Sequence, residues 1–371
     1  MKKNSGIALT KWLLRLPGVA ALPFQIDRRG LYRIPDLYKG YDLKKPDSWA
    51  RAFDHTVYNW TLDPNTGMAR QLELQEVIAE RLHDVAIGRA IDRFLSASAR
   101  TSGKPAVGFM GGHDARRDDS SFRAVAGIAR TLRKSGYTII SGGGPGLMEA
   151  ANFGAFMAPY TDSQFEEALE SLRQHPATTD PAAWVSSACE VRQQLLGNWK
   201  AREKAGSESL GVPTWYYGNE PPNLFASHTG KYFFKSVRED GLVSIASGGI
   251  VFGPGKAGTV QEVFQDVPLN FYRKKGTRPT PMILLGAAFW NPPSGHAGTA
   301  SGDDNPPKPV WPLLLSLASQ AKESFADALK LTDSSDEVVR FITDFHATTV
   351  ATNSTWAERS ERLKGRATAA L

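Results

Sequence analysis

The feature that most limits what this chain can fold into is a unit that recurs along it: a short apolar run, a glycine-rich turn, then the opening of a helix. Tyr137-Thr138-Ile139-Ile140 runs into Ser141-Gly142-Gly143-Gly144-Pro145-Gly146, and helical spacing begins near Leu147. The apolar run at 245–252 leads into Pro254-Gly255-Lys256-Ala257-Gly258-Thr259 and a further helix. A plainer version joins Ala106-Val107-Gly108-Phe109-Met110 to Gly111-Gly112-His113, with Phe122, Val125, Ala129 and Leu132 on one face of the helix that follows. Continuous apolar runs bounded by turn signals suit strands buried on both faces. Strands alternating with helices imply a parallel sheet covered on both sides. The expected fold class is therefore α/β, a Rossmann-like doubly wound parallel sheet with helices on both faces and an N-terminal extension.

The organisation expected is an extension at 1–100, a nucleotide-binding domain at 101–350 and a polar tail at 351–371. Residues 1–66 carry many large rings, among them Trp12, Phe24, Tyr32, Tyr38, Tyr41, Trp49 and Trp60, so this segment is expected to wrap the main domain. An amphipathic helix follows, with Leu74, Ile78, Leu82 and Val85 on one face and Ile87, Ile91 and Phe94 continuing it. Ser96 to Lys104 reads as a linker. Helices are expected within 160–208, at 311–320 and at 335–345. Strands are expected at 211–217 and 281–285, and a mobile loop at 291–308.

A loop that leaves a strand and opens a helix presents unpaired backbone N–H groups and the positive end of the helix dipole, so it can hold phosphate without a charged side chain. Gly142, Gly143, Gly144 and Gly146 fit that use, as do Gly255, Lys256, Gly258 and Thr259. Each cluster also suits a plain tight turn. Glu262 has two readings, as the far half of a capping box begun by Thr259 or as a carboxylate facing the sugar of a bound nucleotide. In doubly wound sheets ligands sit beyond the carboxyl ends of the strands, where both loops are expected. Gly111, Gly112 and His113, with Asp114, Arg116 and Arg117 beyond them, share that edge as candidate ligand contacts or as a solvated loop.

The stretch from Ser141 to Asn152, through Leu147-Met148-Glu149-Ala150, resembles the first signature of the LOG ("Lonely Guy") family, long labelled lysine decarboxylases. Pro254-Gly255-Lys256-Ala257-Gly258-Thr259-Val260-Gln261-Glu262 resembles its second, P-G-G-x-G-T-x-x-E. The similarity runs from about Val107 to Phe345. It implies hydrolysis of the N-glycosidic bond of a nucleoside 5′-monophosphate, giving free base and ribose 5-phosphate. It implies Glu262 and an arginine, best matched by Arg238, as the catalytic pair, with Met148 and Glu149 joining the glycines in the nucleotide site, although Glu149 also reads as an ordinary first-turn carboxylate favoured by the helix dipole. It also implies a homodimer. Three departures stand out: Lys256 replaces the second glycine, where a backbone suited to glycine would be strained; Arg238 lacks the usual R-K context; and Gly111-Gly112-His113 replaces G-S-S.

The chemistry is sound in itself. Breaking a ribosyl C–N bond builds oxocarbenium character that a carboxylate can stabilise while it positions water. No metal or redox cofactor is required. The one cysteine, Cys189, rules out an internal disulfide, makes a thiolate metal site a poor reading and suits a reducing cytoplasm. A net charge of +6 without a Lys/Arg run gives no nucleic-acid signature. Lys11 and Arg15 break the apolar N-terminus, so no signal peptide is expected, and no run is long enough to span a membrane. Rival readings are a non-catalytic nucleotide sensor on the same fold and a pyridoxal-dependent decarboxylase, for which no cofactor lysine stands out. His228 and the run Trp215-Tyr216-Tyr217 read as packing residues.

Overall fold

The computed structural model describes residues 22–217, 221–293 and 305–347. The expected N-terminal segment before 22, most of the 291–308 loop and the tail beyond 347 lie outside the described residues. Seven strands form one all-parallel sheet: β1 (Ala106–Met110), β2 (Thr138–Ser141), β3 (Ser209–Gly211), β4 (His228–Thr229), β5 (Ile250–Phe252), β6 (Met282–Leu285) and β7 (Leu329–Thr332), in the order β4-β3-β2-β1-β5-β6-β7. Every residue of β1, β2, β5 and β6 is buried, which is why these strands read as unbroken apolar runs. The helices Ser120–Lys134, Leu147–Phe156 and Ser335–Ala347 pack together, and Lys235–Ile245 pairs with Ala257–Phe271. The fold is doubly wound α/β. Among the described residues no helix is long and apolar enough to cross a membrane.

Chain order turns back beside β1. The chain lays β2, β3 and β4 on one side, then returns to lay β5, β6 and β7 on the other. A crevice opens where neighbouring connections leave in opposite directions, so the loops after β1 and β5 flank the natural binding position.

Several boundaries differ from the sequence reading. The strand expected at 211–217 stops at Gly211, and Trp215–Tyr217 is a single 3-10 turn with Trp215 fully buried. The run 245–252 divides into the end of the Lys235–Ile245 helix and a strand beginning at Ile250. The Ser96–Lys104 segment is no linker. The long helix continues from Leu74 to Ser102 and stops at Gly103, whose φ of 66° closes it in the left-handed region.

That helix buries only part of the apolar stripe that its spacing suggested: Ile87 and Ile91 are buried as expected, but not its first turns. Leu74, Ile78 and Val85 are exposed, while Ala79, Glu80, His83, Asp84, Ile87, Ala90 and Ile91 are buried. Ile87 and Ile91 pack on Gly230 just past β4, where any side chain would meet them. The extension thus belongs to the sheet side of the molecule. Tyr32 exchanges two backbone hydrogen bonds with Thr229 (2.9 and 2.8 Å) and closes the exposed edge of β4. Lys231 and Asp54 form a buried pair at 2.8 Å.

The packing assigns opposite consequences to two apolar residues of one helix. Ile87→Ala is expected to lower stability by about 2–5 kcal/mol through the cavity it leaves, and Leu74→Ala by less than about 0.5 kcal/mol. Urea unfolding of the two variants checks this, and equal losses would contradict the buried face described.

Candidate active site

The three loops at the carboxyl edge meet backbone to backbone. Gly112 N–H donates to the Pro254 carbonyl at 2.9 Å, and Leu147 N–H donates to the Gly112 carbonyl at 3.0 Å. Gly146 has φ 67° and faces the Gly112 and His113 carbonyls so closely that any side chain would collide with them. Gly255 lies against Gly112 and the Thr259 hydroxyl in the same way. The glycines expected to line a ligand therefore also lock the loops after β1, β2 and β5 into one surface. One consequence narrows the first cradle: the Leu147 N–H already has a protein acceptor, so the first helix start is partly filled by the Gly112 backbone.

The loop after β2 is fastened by residues that the sequence reading did not single out. Asn223 N–H donates to the Gly143 carbonyl (2.9 Å), and its side-chain amide donates to the Gly144 carbonyl (3.1 Å) and Asn152 Oδ1 (2.9 Å). Ser141 Oγ donates to the same Asn152 oxygen at 2.7 Å. Asn152 closed the first motif and could have been found there. Asn223 sits in an irregular segment with no motif to mark it.

Arg238 and Glu262 come together. Arg238 lies on the Lys235–Ile245 helix and is 7% exposed, with Nε donating to the Val212 carbonyl at 2.6 Å and an Nη to the Gly142 carbonyl at 3.4 Å. Its other terminal nitrogen stands 3.6 Å from Glu262 Oε1. The Met148 sulfur and the guanidinium both press on Gly142, which leaves no room there for a side chain. Arg238 thus touches the first glycine loop and faces the carboxylate carried by the helix of the second.

Glu262 is not half of a capping box. The helix starts at Ala257 with Lys256 as its cap, so Thr259 already lies inside it and Glu262 follows one turn later. The spacing puts Thr259, Glu262, Val263 and Asp266 on one face, and Glu262 keeps 14% of its side chain exposed at the rim of that face. Burial pushes its carboxyl up to about 7; Arg238 pulls the other way, and nearby Glu239 adds to the rise. Glu239, held by Gln261 (3.0 Å) and Lys235 (3.4 Å), is a second acid beside the pair that the sequence reading missed.

Three expectations are corrected. Glu149 is no ligand contact: it is fully buried, and Arg117 holds both of its oxygens at 3.0 and 2.6 Å. Arg117 is likewise neither a ligand contact nor solvated, since it also donates to Ser187 Oγ at 2.8 Å and lies over Trp184. This pair ties the Leu147–Phe156 helix to the Pro181–Leu196 helix. Lys256 is unstrained, because its φ of −85° and ψ of −161° are extended backbone open to any residue. Its ammonium meets Asp114 at 2.8 Å. His113 is exposed on the first loop, and Arg116 pairs in solvent with Asp118. His228 packs on Phe94 and bonds Arg33, and Cys189 is buried with its thiol pushed up by desolvation. No group of metal-ligating side chains occurs among the described residues.

In comparisons with known proteins, no family model matches the chain and no curated protein matches it.

The raised carboxyl has a thermodynamic signature. Folded Glu262 keeps its proton to about pH 7, whereas an unfolded glutamate loses it near 4.3. The stabilisation is therefore complete at low pH and is lost as pH rises through 7. Glu262→Gln is expected to abolish that slope, gaining up to about 3 kcal/mol on wild type between pH 5 and 8. Denaturant melts across that range decide it; parallel wild-type and variant curves would contradict the burial assigned to Glu262.

Proposed function

We propose that the chain hydrolyses the N-glycosidic bond of a nucleoside 5′-monophosphate, releasing free base and ribose 5-phosphate. The observation that carries this reading is the Arg238–Glu262 pair, 3.6 Å apart and set beside both glycine-rich loops at the turning point of the sheet. Backbone N–H groups at a helix start suit a phosphate. A largely buried carboxylate one turn further on would face the sugar of a phosphate held there. The resemblance of both loops to the LOG signatures points the same way.

In this reaction the C1′–N bond breaks and its electrons leave with the base, which takes up a proton, while water loses one and supplies the new C1′–O bond. Glu262, with a carboxyl near 7, is poised to stabilise the cationic sugar and to take the proton of the attacking water; a base works best when its pKa lies near the operating pH. Arg238 is fixed by two backbone carbonyls, so it can bind sugar hydroxyls or phosphate without first being ordered. A phosphate held away from the breaking bond positions the ribose. Water is the only co-reactant, so the reading calls on no metal or redox cofactor. It carries with it a cytoplasmic homodimer whose pocket lies near the subunit boundary.

Incubation of the purified protein with AMP and other nucleoside monophosphates is expected to release base and ribose 5-phosphate. Glu262→Gln should lower kcat by roughly 10²–10⁴-fold, and wild-type kcat/KM should rise with pH toward a plateau above about 7. Tight nucleotide binding with no turnover, unaffected by Glu262→Gln, would replace hydrolysis with a carrier or sensor role.

A further inference from the structure

Arg238 and Glu262 sit on two helices that pack side by side, Lys235–Ile245 and Ala257–Phe271. A second contact joins the same helices through the residue next to each of them: Gln261 Nε2 donates to Glu239 Oε2 at 3.0 Å. The two helices are thus linked by adjacent rungs, Arg238 to Glu262 and Glu239 to Gln261. Lys235 braces the second rung from one turn earlier, its ammonium 3.4 Å from the other Glu239 oxygen. Lys235 and Gln261 lie at the surface, but Glu239 keeps only 12% of its side chain exposed. Glu239 also stands where an R-K context would put a lysine, so the family resemblance gives it no role.

A like charge next to Glu262 works against folding, because it adds to the cost that burial already places on that carboxyl. Neighbours that press on one another in this way cluster at functional sites. We propose that Glu239 is a positioning residue acting through Glu262: its bond to Gln261 fixes the register in which Arg238 and Glu262 meet, and its carboxylate sets a second negative charge beside the reacting one. The proposal deepens the hydrolase reading above and rests on it. Register matters because a misplacement of about 1 Å in a reacting group costs roughly 10²-fold in rate. Charge matters because of what faces Glu262. Arg238 and Lys235 favour its ionised form, while Glu239 reinforces the larger effect of burial in opposing it. Glu262 is thereby a stronger base toward the attacking water than an ordinary carboxylate.

Two variants separate the halves. Glu239→Gln removes the charge and keeps a side chain able to bond Gln261; Gln261→Ala removes the bond and keeps the charge. The midpoint of Glu262 is read without substrate, from unfolding free energies between about pH 5 and 8 with and without Glu262→Gln in each background. Glu239→Gln should lower that midpoint by about one pH unit and move the rise of kcat/KM for AMP down with it. Gln261→Ala should lower kcat for AMP by roughly 10–100-fold with KM little changed. If wild type hydrolyses AMP but Glu239→Gln leaves the midpoint in place, or Gln261→Ala keeps the wild-type kcat, the assignment is overturned while the hydrolase reading stands. If wild type hydrolyses no nucleoside monophosphate, both fall.

Discussion

The carboxyl edge of this sheet depends on three stretches of backbone touching with no side chain between them. The loops after β1, β2 and β5 interlock through Gly112, Gly146 and Gly255, and a single methyl at Gly146 would strike the Gly112 and His113 carbonyls. Such contact is open only to glycine, and at Gly146 the positive φ demands it as well. It is the reason that the switch in strand order beside β1 yields one continuous surface. Arg238 and Glu262 approach across that surface because the loops beneath them are fixed.

Burying a guanidinium next to a carboxylate is a precarious arrangement. Attraction alone seldom compensates for desolvation, and here the two groups stay 3.6 Å apart, short of a tight bidentate pair. Arg238 instead gives its hydrogen bonds to the Val212 and Gly142 carbonyls. Glu262 is left largely buried without a tight partner, with Glu239 close by and a carboxyl near 7. Fully paired, it would be a quiet structural acid. The contrast is Glu149, whose oxygens are both held by Arg117 and whose surface is wholly covered. Two glutamates that the resemblance placed in one site are separated by what their oxygens meet.

That contrast marks the limit of what could be read from the residues alone. Parallel strands, glycine loops and the helices after them were legible, since each is set by local chemistry: apolar runs, positive-φ turns, 3.6-residue spacing. Glu262 and Arg238 were legible through motif position. Their separation was not, being a product of crossover geometry. On the Leu74–Ser102 helix, Ile87 and Ile91 are buried as read, but its N-terminal half was misread for a physical reason. Of its apolar stripe, Leu74, Ile78 and Val85 are exposed, while polar Glu80, His83 and Asp84 turn inward. Two of them have partners far along the chain: Asp84 accepts the Phe233 and Phe234 N–H groups, both at 2.9 Å, and His83 meets the Tyr32 hydroxyl at 3.1 Å. No periodicity encodes a partner about 150 residues away.

Those distant partners give the extension a bearing on the site. Phe234 caps the helix that carries Arg238, one turn before it. Asp84 satisfies backbone donors at that helix start that would otherwise be buried without acceptors, and its charge complements the positive end of the helix dipole. Arg81 lies over the Phe234 ring, and Trp215 packs on Phe233, Phe24 and His83. The direction of the Arg238 side chain is thus fixed from both ends, by the Val212 and Gly142 carbonyls at its tip and by the extension at the root of its helix. A wrapping segment of this kind does more than bury rings. It anchors the start of the helix that carries Arg238, the guanidinium facing Glu262.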